Sequence, residues 1–227
     1  MTDLFDSPHI TGALYFTDQG HYLFKYKALN PWGSHAEENH TITKSIREPE
    51  VAAAFSHIGS DSGYLQEGVI RVGNNSKGAW FVFIRKPAKC SIEVADTGKI
   101  TMPAPLLVFI GAAGSYYVFA LAKKTFSPDA TAYQAPFPNV NSTGWICWGS
   151  ENGTPKVIPG KASQVVDLFF KSPFNNDLKN GKSKKFTDDI NKQLALVNGL
   201  DQYPTKDLVA TRYSIGGIIE DHIQERR

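Results

Sequence analysis

Cys147 closes a short stretch, Pro136-Phe137-Pro138-Asn139-Val140-Asn141-Ser142-Thr143-Gly144-Trp145-Ile146-Cys147-Trp148, that sets a nucleophile beside side-chain amides and turn formers. A thiolate is a strong nucleophile and a competent leaving group. A cysteine can therefore take an acyl group from one thioester and hand it to an amine with no other energy source. Aminolysis passes through a tetrahedral oxyanion, which a neutral amide donor near the sulfur stabilises. Asn139 is the candidate donor. Pro138 and Gly144 shape a turn that returns Asn139 toward Cys147. With Trp145 and Trp148 they are expected to contribute to substrate binding around the thiol. A carboxylate near the sulfur would take the proton of the attacking amine, and Glu151 is the nearest in sequence. The same residues admit plainer readings. A free cysteine between Trp145, Ile146 and Trp148 also fits a small buried apolar side chain. Asn139 also fits a turn former bonding its own backbone, and the two roles are compatible. The tryptophans serve equally as cleft walls or core pieces. Cys90 has no such surroundings and reads as an ordinary strand residue. His57 or His222 would make a cysteine hydrolase only if the fold placed one beside Cys147.

The elements that must position this stretch are legible from periodicity. Gly12 to Thr17 and His21 to Leu29 alternate around Asp18-Gln19-Gly20 and predict a hairpin. Ser45 to His57, with Glu48, Pro49 and Glu50 early on, predicts a short helix capped by Ser45. Gly68 to Val72, Gly78 to Lys86, Cys90 to Val94, Pro105 to Ala112 and Ser115 to Ala122 predict strands of an antiparallel meander. Within it Trp80 to Ile84 is apolar on both faces and belongs inside the sheet. Periodicity vanishes over Thr125 to Pro159, a long loop of the kind that is usually functional. Helical spacing returns over Ala162 to Lys171, stopped by Pro173. A second pattern runs through Phe186, Ile190, Leu194 and Val197 to Asn198-Gly199. Lys206 to Gln224 predicts a helix or an appendage. The organisation expected is one domain, with an N-terminal hairpin and helix over 1–67, a core over 68–180 and a helical extension over 181–227.

Bulk properties exclude several classes. Twenty-four basic against 22 acidic side chains leave +2 over 227 residues, which asks for neither nucleic acid nor an anionic membrane as main partner. The first residues lack the basic start and apolar run of a signal peptide, and no run approaches a membrane span. A cytoplasmic protein is expected. Two distant cysteines make no disulfide framework, and the scattered histidines lack metal-ligand spacing, so no metal and no cofactor are expected. The cluster Lys179, Lys182, Lys184 and Lys185 reads as a solvated loop, with partner docking as the alternative.

The stretch ending at Cys147 resembles the active-site segment of ubiquitin-conjugating enzymes. There a His-Pro-Asn tripeptide, an apolar residue, a polar stretch with glycine and an Ile/Val-Cys pair follow a β-meander. Pro138-Asn139 matches Pro-Asn, Val140 the apolar position, Gly144 the turn, and Ile146-Cys147 the nucleophile pair. The helix Ala162 to Lys171 and Ser172-Pro173-Phe174-Asn175-Asn176-Asp177-Leu178 are similar to the crossover helix and turn after that cysteine. Phe137 stands where the family has its histidine. That departure, with Cys147-Trp148-Gly149 and the Phe-rich helix, looks like prokaryotic conjugating-enzyme family D, which includes proteins of the bacterial PRTRC gene systems. The likeness covers roughly Trp80 to Leu178. It implies an α+β, ubiquitin-conjugating-enzyme-like fold: an antiparallel meander, a long active-site loop and a crossover helix, with an N-terminal hairpin and C-terminal helices added. It implies thioester transfer on Cys147 assisted by Asn139. The partners implied are a ubiquitin-like protein, an activating-enzyme homologue and a deubiquitinase-like metalloprotease of the same gene cluster. The alternative is a catalytically silent module that holds a ubiquitin-like protein.

Overall fold

Residues 78–85, 106–112 and 115–121 carry apolar side chains on both faces, which is stable only between other strands with packing above and below. The computed structural model describes residues 12–16, 22–27, 41–47, 49–51, 63–149 and 153–224. The chain divides into two compact units, Met1–Asp61 and Ser62–Arg227.

In the first unit β1 (Gly12–Phe16), β2 (Tyr22–Lys27) and β3 (Thr41–Ile46) form an antiparallel sheet in that order. The hairpin strands lie as expected, with Leu14 opposite Phe24; the Asp18-Gln19-Gly20 turn lies outside the described residues. Ser45 does not cap a helix. It pairs with Leu23 inside β3, because Thr41-Ile42-Thr43-Lys44-Ser45-Ile46 is rich in β-branched residues that suit a strand. The helical turn at 49–51 follows Arg47 instead, whose backbone N–H donates to the Glu50 carboxylate at 3.1 Å. The remainder of the predicted helix lies outside the described residues.

In the second unit β4 (Val69–Asn75), β5 (Gly78–Arg85), β8 (Leu106–Ala112), β9 (Ser115–Leu121), β10 (Thr131–Gln134) and β11 (Ala210–Ser214) build one antiparallel sheet, ordered β11-β10-β9-β8-β5-β4. Strand β5 is internal as expected, and β8 is buried at every position. The meander has a different path from the one expected. After β5 the chain leaves the sheet as a separate hairpin, β6 (Ala88–Val94) and β7 (Gly98–Ala104), before β8 returns to pair with β5, Phe83 opposite Phe109. Strand β6 alternates buried Cys90, Ile92 and Val94 with exposed Lys89, Ser91 and Glu93. A strand with one apolar face covers a core, whereas a two-faced strand such as β8 must lie within one.

Helix α1 (Ala162–Lys171) occupies the predicted span and presses Val165, Val166, Phe169 and Phe170 onto one sheet face. Ser172 follows it in extended conformation before Pro173. Helix α2 (Ile190–Val197) starts later than predicted, at Asp189, whose side chain accepts the Asn191 N–H at 3.0 Å; Ile190, Leu194 and Val197 join the same core. The C-terminal stretch is part of the sheet. It comprises β11 and helix α3 (Ile215–Ile223), which buries Ile215, Ile218, Ile219 and Ile223 on the opposite face. Gly216, which broke the sequence periodicity, makes this docking possible: a Cβ there would stand 2.8 Å from the Pro128 carbonyl oxygen. No helix among the described residues is long and apolar enough to cross a membrane.

Candidate active site

The stretch from 125 to 159 is less irregular than its sequence suggests. Strand β10 lies inside it, pairing with β9 at Tyr133–Ala120 and with β11 at Tyr133–Ala210. Four residues are too short for a period to show, and only neighbours distant in sequence supply their partners.

Beyond β10 the chain folds into a miniature hairpin. Val140 bridges Ile146, Asn141 N–H donates to the Trp145 carbonyl at 2.9 Å, and Gly144 N–H to the Asn141 carbonyl at 3.0 Å. The second arm extends the sheet beside the start of β9: Ile146 N–H reaches the Tyr116 carbonyl at 2.9 Å, and the Gly144 carbonyl accepts Val118 N–H at 2.8 Å. Asn141 is the residue that sequence reasoning passed over. Its Oδ1 accepts the Thr143 N–H (2.9 Å), the Thr143 hydroxyl (2.7 Å) and the Trp145 N–H (2.9 Å). The signal was present as an asparagine opening Asn-Ser-Thr-Gly, an Asx-turn pattern.

Asn139 and Cys147 close the open end of this hairpin: the Cys147 N–H donates to the Asn139 carbonyl at 2.8 Å. Asn139 has φ +59°, a left-handed conformation that asparagine tolerates better than most residues. Three bonds hold it to the segment after α1. Its N–H reaches the Asp177 carbonyl at 3.1 Å, its Oδ1 accepts the Asn175 N–H at 3.2 Å, and its Nδ2 approaches the Pro173 carbonyl at 3.5 Å. Cys147 is half-buried. Both residues line a cleft of about 560 Å3 whose other walls are Trp148, Phe169, Ser172 to Asn175 and the tip of the β6–β7 hairpin at Glu93 to Asp96. That hairpin is tied down by the Phe174 N–H to the Glu93 carbonyl and the Ala95 N–H to the Phe174 carbonyl, both 2.8 Å.

The other expected binding residues separate into two groups. Trp148 lines the cleft, packed edge-on against Tyr116 and Phe169 with centroids 5.5 and 6.4 Å away. Pro138 and Gly144 are buried and Trp145 half-buried, and none of the three is a lining residue. They shape the hairpin rather than the cleft wall. Gly144 has φ +82°, and a Cβ there would lie 2.3 Å from the Phe119 ring. Gly144→Ala is therefore expected to destabilise the protein by at least about 2 kcal/mol in urea unfolding, from left-handed strain plus overpacking. A change of a few tenths would show that the turn relaxes freely.

Phe137, which stands where the resembled ubiquitin-conjugating segment has a histidine, is fully buried and stacks on Phe174 at 5.8 Å, with Phe169 and Phe170 edge-on at 5.5 and 5.7 Å. Aromatic packing thus pins the loop to α1. Glu151 and His57 lie outside the described residues, and His222, in α3, stacks on Tyr117 of β9 with ring centroids 3.7 Å apart. Among the described residues, none that lines the cleft is a histidine. Cys90 is buried, its thiol pushed up to about 11 by burial and aimed at the Met102 carbonyl. Among the described residues no cluster of three His, Cys, Asp or Glu could hold a metal ion.

The lysine cluster is not uniformly solvated. Lys182 is 2% exposed, and its Nζ donates to the carbonyls of Val140 and Leu178, the first of them in the hairpin that leads to Cys147. Sequence carries no sign of this, since the partner lies 42 positions away. Burial pushes its ammonium down to about 8 from 10.5. Lys182→Met is expected to cost about 2–4 kcal/mol near neutral pH, because the buried Val140 carbonyl and the part-buried Leu178 carbonyl lose their donor. Below pH 8 the lysine is charged in both folded and unfolded chains. Between about 8 and 10.5 the unfolded chain binds more protons, so its contribution to stability rises with pH. The wild-type advantage over Lys182→Met should widen across that window, by up to about 3 kcal/mol. Urea midpoints of both proteins across that range check this, and an advantage that shrinks would refute it.

Compared with known proteins, residues 44–211 match the family model described as Prokaryotic E2 family D. No curated protein and no solved structure matches the chain.

Proposed function

The chain belongs to prokaryotic E2 family D, within the ubiquitin-conjugating-like superfamily, and on that premise we propose that it carries a ubiquitin-like modifier as a thioester on Cys147. The Cys147 sulfur attacks the carbonyl carbon of a donor thioester on an activating enzyme. The donor's sulfur leaves as thiolate and takes up the proton released from Cys147. An acceptor amine then attacks the new thioester, an amide forms, and Cys147 leaves as thiolate while the amine's proton passes to solvent or a nearby base. The carrying observation is that Cys147 and Asn139, joined by a backbone hydrogen bond, line one open cleft. A nucleophile with an amide beside it at an accessible wall is what acyl transfer to an amine needs. The mixed α+β architecture with its antiparallel sheet and helix after the cysteine is consistent with an E2-like fold.

A second reading has one observation in its favour. Both ends of the Asn139 amide are already engaged by the segment 173–175, as they would be in a silent module that only holds a ubiquitin-like protein. Intact mass after incubation with an activating-enzyme homologue, a ubiquitin-like protein and ATP separates the two. An adduct of modifier mass that hydroxylamine removes supports the carrier. Its absence when the activating enzyme is demonstrably charged leaves the silent module.

A further inference from the structure

The loop that carries the remaining lysines is built, not free. Ser183 Oγ donates to Asp207 Oδ1 at 2.9 Å and accepts the N–H groups of Lys185 and Phe186 at 3.2 and 2.9 Å. Asp207 Oδ1 also takes the Lys185 N–H at 2.9 Å, and the Asp207 carbonyl takes the Lys184 N–H at 2.9 Å. Asp207 is thereby turned into the protein, while the exposed Asp201, beside Leu200, pairs with Lys89 at 2.7 Å. Lys184, whose Nζ donates to the Lys206 carbonyl at 3.2 Å, Lys185, whose Nζ lies over the Phe186 ring, and Lys206 line a shallow groove of about 640 Å3. Two solvent-facing leucines line the same groove: Leu196, 52% exposed, and Leu200, 46% exposed. Leu196 lies on the face of α2 away from the buried Ile190, Leu194 and Val197. Solvated helix faces carry mostly polar residues, and two leucines left this exposed beside lysines present an apolar surface with a cationic rim.

We infer that this groove docks an acidic amphipathic segment of a protein partner, its apolar side chains seated on Leu196 and Leu200 and its carboxylates facing Lys184, Lys185 and Lys206. The cationic rim selects an acidic partner and makes association fast and salt-sensitive. None of the groove's residues lines the Cys147 cleft, so a partner bound here leaves that cleft open. On the thioester-carrier reading, which this step of the inference rests on, the occupant is the activating enzyme: it must hold the carrier while the cleft receives the modifier's tail.

Two measurements test it. The first uses a fluorescein-labelled helical peptide with leucines along one face and glutamates elsewhere, its Glu-to-Lys counterpart, and a leucine-free glutamate peptide. Only the first should bind, and Leu196→Asp with Leu200→Asp, or Lys184→Glu with Lys185→Glu, should weaken it by about tenfold or more. Raising salt to about 0.5 M should weaken it as well. Equal binding of the three peptides, or binding untouched by the variants, overturns the inference. All four side chains are exposed, so thermal melting should match wild type; a variant that melts early is replaced by Leu196→Ser with Leu200→Ser, held to the same criterion. The second measurement is the KM for loading by the charged activating enzyme, expected to rise about tenfold in the variants while aminolysis of a preloaded thioester keeps its rate. Loading with unchanged KM refutes the groove as the activating enzyme's dock. Loading that never occurs, with the acidic peptide still bound, refutes the carrier reading and leaves the groove.

Discussion

Cys147→Ser should give an adduct that survives thiol reductant, and Cys147→Ala should give none at all. A serine oxygen in the same place forms an ester whose alkoxide is a far poorer leaving group than a thiolate, so the modifier is accepted slowly and then retained. Intact mass with and without reductant reads both outcomes. Cys90 is the internal control, because its thiol is buried and raised to about 11. Cys90→Ala should load as the wild type does. Half-buried Cys147 has little to lose structurally, and either substitution should change stability by no more than about 1 kcal/mol. An adduct that persists in Cys147→Ala would move the nucleophile elsewhere and end the proposal.

Asn139→Asp should slow transfer from a preloaded thioester to free lysine by about a hundredfold or more while loading continues. The carboxylate keeps the acceptor for the Asn175 N–H and tolerates the positive φ, but it lacks the amide's N–H donors. Asn139→Gly complements it: the backbone is free to stay left-handed and both side-chain functions are lost, so unfolding reports how far the bonds to Pro173 and Asn175 stabilise the hairpin. Single-turnover kinetics alongside urea unfolding separate the roles. If Asn139→Asp transfers at the wild-type rate and Asn139→Gly is destabilised, Asn139 is a structural clasp only.

Phe137 is fully buried at the start of the stretch that leads to Cys147. With Phe169, Phe170 and Phe174 around it, an aromatic ring anchors the loop by packing, where an imidazole in that apolar cluster would need a polar partner.

Local patterns carried a good part of this molecule. The two-faced apolar runs at 78–85 and 106–112 identified the centre of the sheet. The spacing of Val165, Val166 and Phe169 before Pro173 gave α1 its span, and Pro138-Asn139 with Gly144 and Ile146-Cys147 marked the stretch that closes on itself. These depend on steric preference, turn chemistry and burial period, which act within a few residues and can be read from a window of sequence. Tertiary structure alone decided that β6 and β7 leave the sheet, that Thr131–Gln134 becomes a strand, and that Ser45 is paired rather than capping. It also set Asn139 against Asp177 and Asn175, and turned Lys182 from an apparent surface charge into a buried strut beneath Val140. Each of these depends on a hydrogen-bond partner far along the chain. A lysine's charge reads the same whether water or a distant carbonyl receives it, so only the folded chain distinguishes the two.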